Sequence, residues 1–166
     1  VDCVAEGADH GKALIVALGN PLMGDDGAGA AVLERLRQQG ADRRARLCEL
    51  GAAGVDLLIE MEGAHMLVLL DAMVSPDPPG TVRVFEQSEI FAYAESRGGG
   101  SHQPSLAETL RMAEKLALLP PRVALVGIAA RQFELGAGLS PEVAAAVDQA
   151  AEAALHLLDG EPRTSA

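Results

Sequence analysis

Two hydrophobic rhythms alternate along the chain. Residues 12–18 form a nearly unbroken apolar run, the pattern of a strand buried on both faces, and residues 26–39 place Ala28, Val32 and Leu36 at helical spacing before Gly40 stops the turn. The same pairing then recurs. Residues 46–50 predict a short second strand, Gly51-Ala52-Ala53-Gly54 a turn, and the next residues a helix to about Glu62. A third buried strand is predicted over residues 66–70, with Asp71 at its carboxyl end. After a proline-rich connection over 75–80, residues 81–85 alternate apolar and polar, which predicts an edge strand that can run antiparallel. One or two helical turns are expected within 87–96, and a mobile loop over 97–101, where Gly98 to Gly100 offer a hinge. Ser105 and Glu108 make a capping-box pattern ahead of Leu106, Leu110, Ala113 and Ala117, predicting a helix that ends near Leu119. Residues 122–128 predict a fifth strand, and Ser140-Pro141-Glu142 predicts the capped start of a long Ala-rich helix running to about Leu158.

Strands alternating with helices imply a single-domain α/β fold over residues 12–159: an open, twisted, mostly parallel five-stranded sheet with helices on both faces. Residues 1–11 and 160–166 carry no apolar period and are expected to be a flexible arm and tail. Composition agrees with this picture. Of 166 residues 49% are hydrophobic, yet there are only three Phe, one Tyr and no Trp, so the core is aliphatic and rich in small residues.

Charge narrows the function. Thirteen Lys and Arg against 24 Asp and Glu give a net charge of −11, which repels polyanions, so nucleic acid is not an expected partner. No membrane-spanning run or secretory signal is visible, and a cytoplasmic location is expected. Cys3 and Cys48 lie far apart and match neither a zinc motif nor a disulfide framework, so both thiols are expected to be bystanders.

In open α/β sheets ligands bind beyond the carboxyl ends of the strands. That rule selects Asp25 and Asp26 after the first strand, Asp71 after the third, and His102 in the loop before the Ser105 helix. Two carboxylates and an imidazole are an oxygen-and-nitrogen ligand set for a divalent transition metal that leaves positions open for other ligands. Helix capping would account for one of the adjacent Asp residues, and does so most simply for Asp25. His10, His65 and His156 fall in the arm, at a helix-to-strand junction and late in the last helix, and are read as structural or solvated. A phosphate site in the glycine turn is disfavoured, because Gly19-Asn-Pro-Leu-Met-Gly24 lacks the dinucleotide spacing and sets two carboxylates where phosphate would lie. There is no Gly-x-Ser-x-Gly elbow, Cys48 sits inside a predicted strand, and adjacent Asp25 and Asp26 are poorly placed to face each other as an aspartic dyad.

The segment Gly19-Asn20-Pro21-Leu22-Met23-Gly24-Asp25-Asp26-Gly27-Ala28-Gly29 resembles the signature of the hydrogenase maturation proteases. The likeness continues through Gly51-Ala-Ala-Gly54, Asp71-Ala72, Pro79-Gly80-Thr81, Ser101-His102-Gln103 and Gly138-Leu139-Ser140-Pro141, in order over residues 12–158. It implies an endopeptidase that removes the carboxyl-terminal extension of a nickel-iron hydrogenase large-subunit precursor. The implied metal contacts are Asp26, Asp71 and His102, with Asp26 standing where some members have Glu. The resemblance further implies no permanently bound cofactor: the Ni²⁺ arrives with the precursor, although other divalent ions can enter such a site in vitro. A monomer is expected. A non-proteolytic chaperone that checks nickel through the same trio, or a small-molecule hydrolase, are the alternatives on these residues.

Overall fold

A computed structural model of the chain describes residues 2–4, 12–96 and 105–160. Its sheet has six strands: β1 (Asp2–Val4), β2 (Ala13–Ala17), β3 (Ala45–Glu49), β4 (Met66–Met73), β5 (Val82–Glu86) and β6 (Arg122–Ala129), in the spatial order β1-β3-β2-β4-β6-β5. β3, β2, β4 and β6 are parallel neighbours, while β1 and β5 close the two edges antiparallel. The helices are α1 (Ala28–Gln38), α2 (Val55–Met61), α3 (Gln87–Ser96), α4 (Leu106–Lys115) and α5 (Pro141–Leu158).

Strand alternation divides the core in two. Ala13, Ile15 and Ala17 of β2, with Val68 and Leu70 of β4, meet α1 and α5, where Ala146, Ala150, Ala153 and Ala154 let the long helix lie close to the sheet. Leu14 and Val16, with Leu67 and Leu69, meet Leu57 and Met61 of α2, Ile90 of α3 and Leu110 and Ala113 of α4 on the other face. Both layers are aliphatic, as the near-absence of aromatic residues requires.

The five strands read from the sequence are β2 to β6, and β5 is the antiparallel edge expected of it. Several boundaries differ. Asp2–Val4, assigned above to a flexible arm, adds a sixth strand by pairing with the otherwise open edge of β3; three residues are too few to show a period. The remaining arm residues, 1 and 5–11, and the tail from 161 lie outside the described residues. That pairing sets Cys3 opposite Cys48 in register, and Cys48 is buried and disulfide-bonded, which corrects its reading as a bystander thiol. Spacing along the chain could not reveal a neighbour created by an antiparallel edge. α3 has ten residues instead of one or two turns, and α4 stops at Lys115, with Ala117 at φ 56° turning the chain before Pro120. The capping box of α4 is present, with the Ser105 and Glu108 side chains each accepting the other's backbone N–H. Asp71 lies inside β4 opposite Gly127, not beyond the strand's end, because β6 continues far enough to pair with it.

Gly29 fixes how α1 begins. A Cβ there would stand 2.6 Å from the Leu70 carbonyl oxygen and 2.7 Å from that of Leu18, so only glycine lets the helix start directly on the ends of β2 and β4. In an unconstrained helix Gly→Ala stabilises by ~1 kcal/mol; here Gly29→Ala is predicted to destabilise by about 2 kcal/mol, lowering the thermal midpoint by roughly 5 °C. A midpoint equal to or above wild type in calorimetry would contradict this packing.

Candidate active site at the carboxyl edge of the sheet

The turn after β2 is wound tightly on itself. Asn20 Oδ1 accepts the Leu22 N–H at 3.0 Å, the Met23 N–H donates to the Asn20 carbonyl at 3.0 Å, and the Asp26 N–H donates to the Met23 carbonyl at 3.1 Å. Asp26 then reaches back: its Oδ2 accepts the Asn20 N–H at 2.7 Å. Gly19, at φ +101°, leaves room for this, since a Cβ there would lie 2.2 Å from the Asp26 carbonyl oxygen. Residues 24–27 form a 3-10 turn ahead of α1, so both acids precede the helix that the sequence placed from Asp26 onward. Asp26 is half-buried. A carboxylate offers about four lone-pair sites, so one backbone donor leaves capacity for a cation.

Asp25 takes the opposite environment. It is fully buried, and its carboxylate accepts four hydrogen bonds: from the amides of Arg131 (3.2 Å), Gln132 (3.1 Å) and Ser140 (2.7 Å) and from the Ser140 hydroxyl (3.1 Å). Its own N–H donates to the Gln132 carbonyl at 2.7 Å. Burial alone would raise the carboxyl pKa, but the bonds from Ser140, Gln132 and Arg131 outweigh it and hold the group below the ordinary aspartate value. Asp25 therefore does not cap its own helix; neither the 3-10 turn nor α1 has a side-chain cap. It ties the first loop to the β6–α5 connection. Ser140, expected to cap α5, has no such bond and donates its hydroxyl to Asp25 instead.

The bracket extends to the loop after β4. Arg131 donates from its guanidinium to the Asp77 carbonyl at 3.2 Å, while the Asp77 carboxylate accepts two bonds from Arg83, at 2.6 and 2.7 Å, whose guanidinium lowers the Asp77 pKa. Gly80 in the same connection packs on the start of α5, where a Cβ would meet the Glu142 carbonyl oxygen at 2.5 Å. The sequence identifies none of Arg131, Gln132 and Ser140 as donors to Asp25; Ser140 reads as the cap of α5. The available signal was an extra acid beside Asp26, and its donors come from more than a hundred residues away.

Asp71 is half-buried and shares the Leu67–Leu69 side of β4, the face covered by α2, α3 and α4. The Leu18 N–H bonds the Leu70 carbonyl at 2.9 Å, and Gly29 sits on that same carbonyl, so the turn bearing Asp26 is seated one residue from Asp71 along β4. Thus two of the sequence-selected groups, Asp26 and Asp71, belong to adjoining strands, Asp26 in the turn after β2 and Asp71 in the last rungs of the β4 ladder. His102 lies outside the described residues; the described chain resumes at Ser105, the N-cap of α4 on the Asp71 face. His65 and His156 are exposed, away from this edge.

Among the described residues, Asp26 and Asp71 thus stand on neighbouring strands toward the carboxyl edge of the sheet, and comparison with known proteins gives the class. A family model described as hydrogenase maturation protease matches residues 30–157. The chain belongs to the hydrogenase maturation protease family and is a hydrolase of the endopeptidase kind. It is 30% identical over 149 residues to the hydrogenase 2 maturation protease of Escherichia coli K12, covering 89% of this chain and 90% of that one. The hydrogenase expression/formation protein HupD of Thiocapsa roseopersicina is 28% identical over 147 residues, 87% of this chain and 66% of that relative, so the chain spans about two thirds of its length. Among solved structures, the hydrogenase maturating endopeptidase HybD from E. coli superposes with TM-score 0.79 at 28% identity, covering 90% of this chain and 93% of that one. The [NiFe] hydrogenase maturation protease HybD from Thermococcus kodakarensis gives 0.72 at 31% identity, over 89% and 99%.

Asp25→Asn should destabilise the protein by about 3 kcal/mol at neutral pH, since an amide cannot accept from all four donors. Because the folded pKa is depressed, the Asp25 contribution is complete above the unfolded value near pH 4 and is lost as pH falls through the folded value. Denaturant titrations at pH 7 and below pH 4 should show the wild-type and variant curves converging in acid. A gap independent of pH would mean that the charge is not what the bracket uses.

Proposed function

We propose that this endopeptidase removes the carboxyl-terminal extension of the large-subunit precursor of a nickel-iron hydrogenase, with Asp26, Asp71 and His102 contacting nickel that the precursor carries. The observation supporting this reading most strongly is the seating of the Asp26 turn on the Leu18 and Leu70 carbonyls, beside the strand that bears Asp71. Carboxylates and an imidazole suit a borderline divalent ion whose remaining ligands, in the precursor, would be thiolates. Before nickel is inserted the precursor brings no cation to this edge, so an apo precursor binds more weakly. Nickel loading thereby becomes the condition for cutting.

In the cleavage step a water oxygen bonds to the scissile carbonyl carbon and the C–N bond breaks. The water's proton passes to a carboxylate of the pair and then to the departing amine, leaving a new carboxylate on the mature subunit and a free peptide. The substrate's nickel orients the bond and, as a Lewis acid, polarises its carbonyl. The Asn20 N–H holds Asp26 Oδ2 at 2.7 Å, which fixes that carboxylate in the turn.

Incubation of the purified protein with nickel-loaded and nickel-free precursor, read by mass spectrometry, should show loss of the extension only from the loaded form. Asp26→Asn and Asp71→Asn should each slow it by a factor of roughly 10² or more without unfolding the protein. Equal cleavage of both forms would remove nickel from the account. Nickel-dependent binding with no change in precursor mass would make the protein a checking chaperone.

A further inference from the structure

Seven large hydrophobic residues are exposed among the described residues, and four of them follow a pattern. Leu22 (65% exposed) lies in the connection after β2, Val55 (66%) opens α2, the helix that follows β3, Val74 (60%) stands directly after β4, and Leu135 (76%) lies in the connection after β6. These strands are the four parallel neighbours of the sheet, in the order β3-β2-β4-β6, so each delivers one bare aliphatic side chain to the same edge. Isolated exposed aliphatics are ordinary. One on every carboxyl end of four adjacent strands, flanking Asp26 and Asp71, is a built surface.

Two of these residues are also held in place. The Gly136 N–H donates to the Leu22 carbonyl at 2.8 Å, and Gly24 packs against the backbone of Gln132 and Glu134, so the loops bearing Leu22 and Leu135 are locked together. Holding bulky apolar side chains in water on pinned loops reduces the ordering needed when a partner covers them. Acidic groups interleave with the apolar ones: Asp56 follows Val55 and Glu134 precedes Leu135, with Asp26 and Asp71 between.

We infer that this rim is the docking surface for an extended polypeptide segment that carries bulky apolar side chains on both sides of a cationic centre, the apolar side chains covering Leu22, Leu135, Val74 and Val55 while the cation meets Asp26 and Asp71. The inference rests on the endopeptidase reading above and specifies what that enzyme recognises around the cut. Four strands about 4.8 Å apart span roughly 14 Å, the length of some four or five residues of extended chain at ~3.3 Å each. The site thus reads side chains over a stretch of that length, independently of the metal. Recognition by apolar flanks also explains how a chain of net charge −11 can bind a folded protein without relying on long-range attraction.

The test is steady-state cleavage of nickel-loaded precursor by Leu22→Ser, Leu135→Ser and the pair, with Met112→Ser, on the exposed side of α4, as a control. Each rim substitution should raise KM about tenfold, equivalent to ~1.4 kcal/mol, and the pair more, with kcat within about twofold of wild type; Leu22→Met and Leu135→Met should restore KM. Met112→Ser should change neither constant. Rim variants with wild-type KM, or a control that loses as much, would overturn the inference while leaving the endopeptidase reading standing. A wild-type protein that cuts no precursor would instead overturn that reading. Sedimentation completes the test: if wild type dimerises and the rim variants do not, the surface belongs to a second copy and the inference fails.

Discussion

A carboxylate sealed from solvent must be answered by donors, and at Asp25 all of them come from one distant connection. The amides of Arg131, Gln132 and Ser140 and the Ser140 hydroxyl converge on it, so the turn after β2 cannot move without stranding a charge and several backbone N–H groups. From Arg131 the bracing passes through the Asp77 carbonyl to the loop following β4. Three connections at one sheet edge therefore form a single rigid body. The half-buried Asp26 carboxylate gains a fixed position from it.

This division of labour resolves the two adjacent aspartates of the glycine turn. Their side chains leave the backbone on different sides of a 3-10 turn; one goes inward to organise the loops, and the other stays accessible at the strand ends. The glycines are the steric condition for that geometry. Gly19, Gly24 and Gly29 each abut a backbone carbonyl that a side chain would strike, so the motif is a packing solution first and a site only through what it presents.

Much of this was legible in the sequence, and the exceptions share a cause. Buried strands and capped helices announce themselves through local periodicity, as with residues 12–18 and the Ser105–Glu108 box; the strand-edge rule selected Asp25, Asp26, Asp71 and His102, of which His102 lies outside the described residues. What stayed hidden depends on tertiary partners. Nothing near Asp25 indicates that its donors lie beyond residue 130, nothing near Ser140 shows that its hydroxyl leaves its own helix, and Cys3 meets Cys48 only because Asp2–Val4 pairs with β3. The extra length of β4, which draws Asp71 into the strand, was likewise set by its neighbour β6. The apolar rim was invisible for a different reason: Leu22, Val55, Val74 and Leu135 are unremarkable one by one and form a set only once the strand order is known.

The proposed recognition comes down to one physical event, a cation held by a partner protein acquiring oxygen and nitrogen ligands from a sheet edge. X-ray absorption at the nickel edge observes that event directly. Nickel-loaded precursor measured alone and in complex with the protein, under conditions that slow cleavage, should gain light-atom scatterers in the first coordination shell on binding, and the gain should shrink when Asp71 is replaced by Ala. An unchanged nickel shell in a complex that still goes on to cut would contradict recognition of the metal by these side chains.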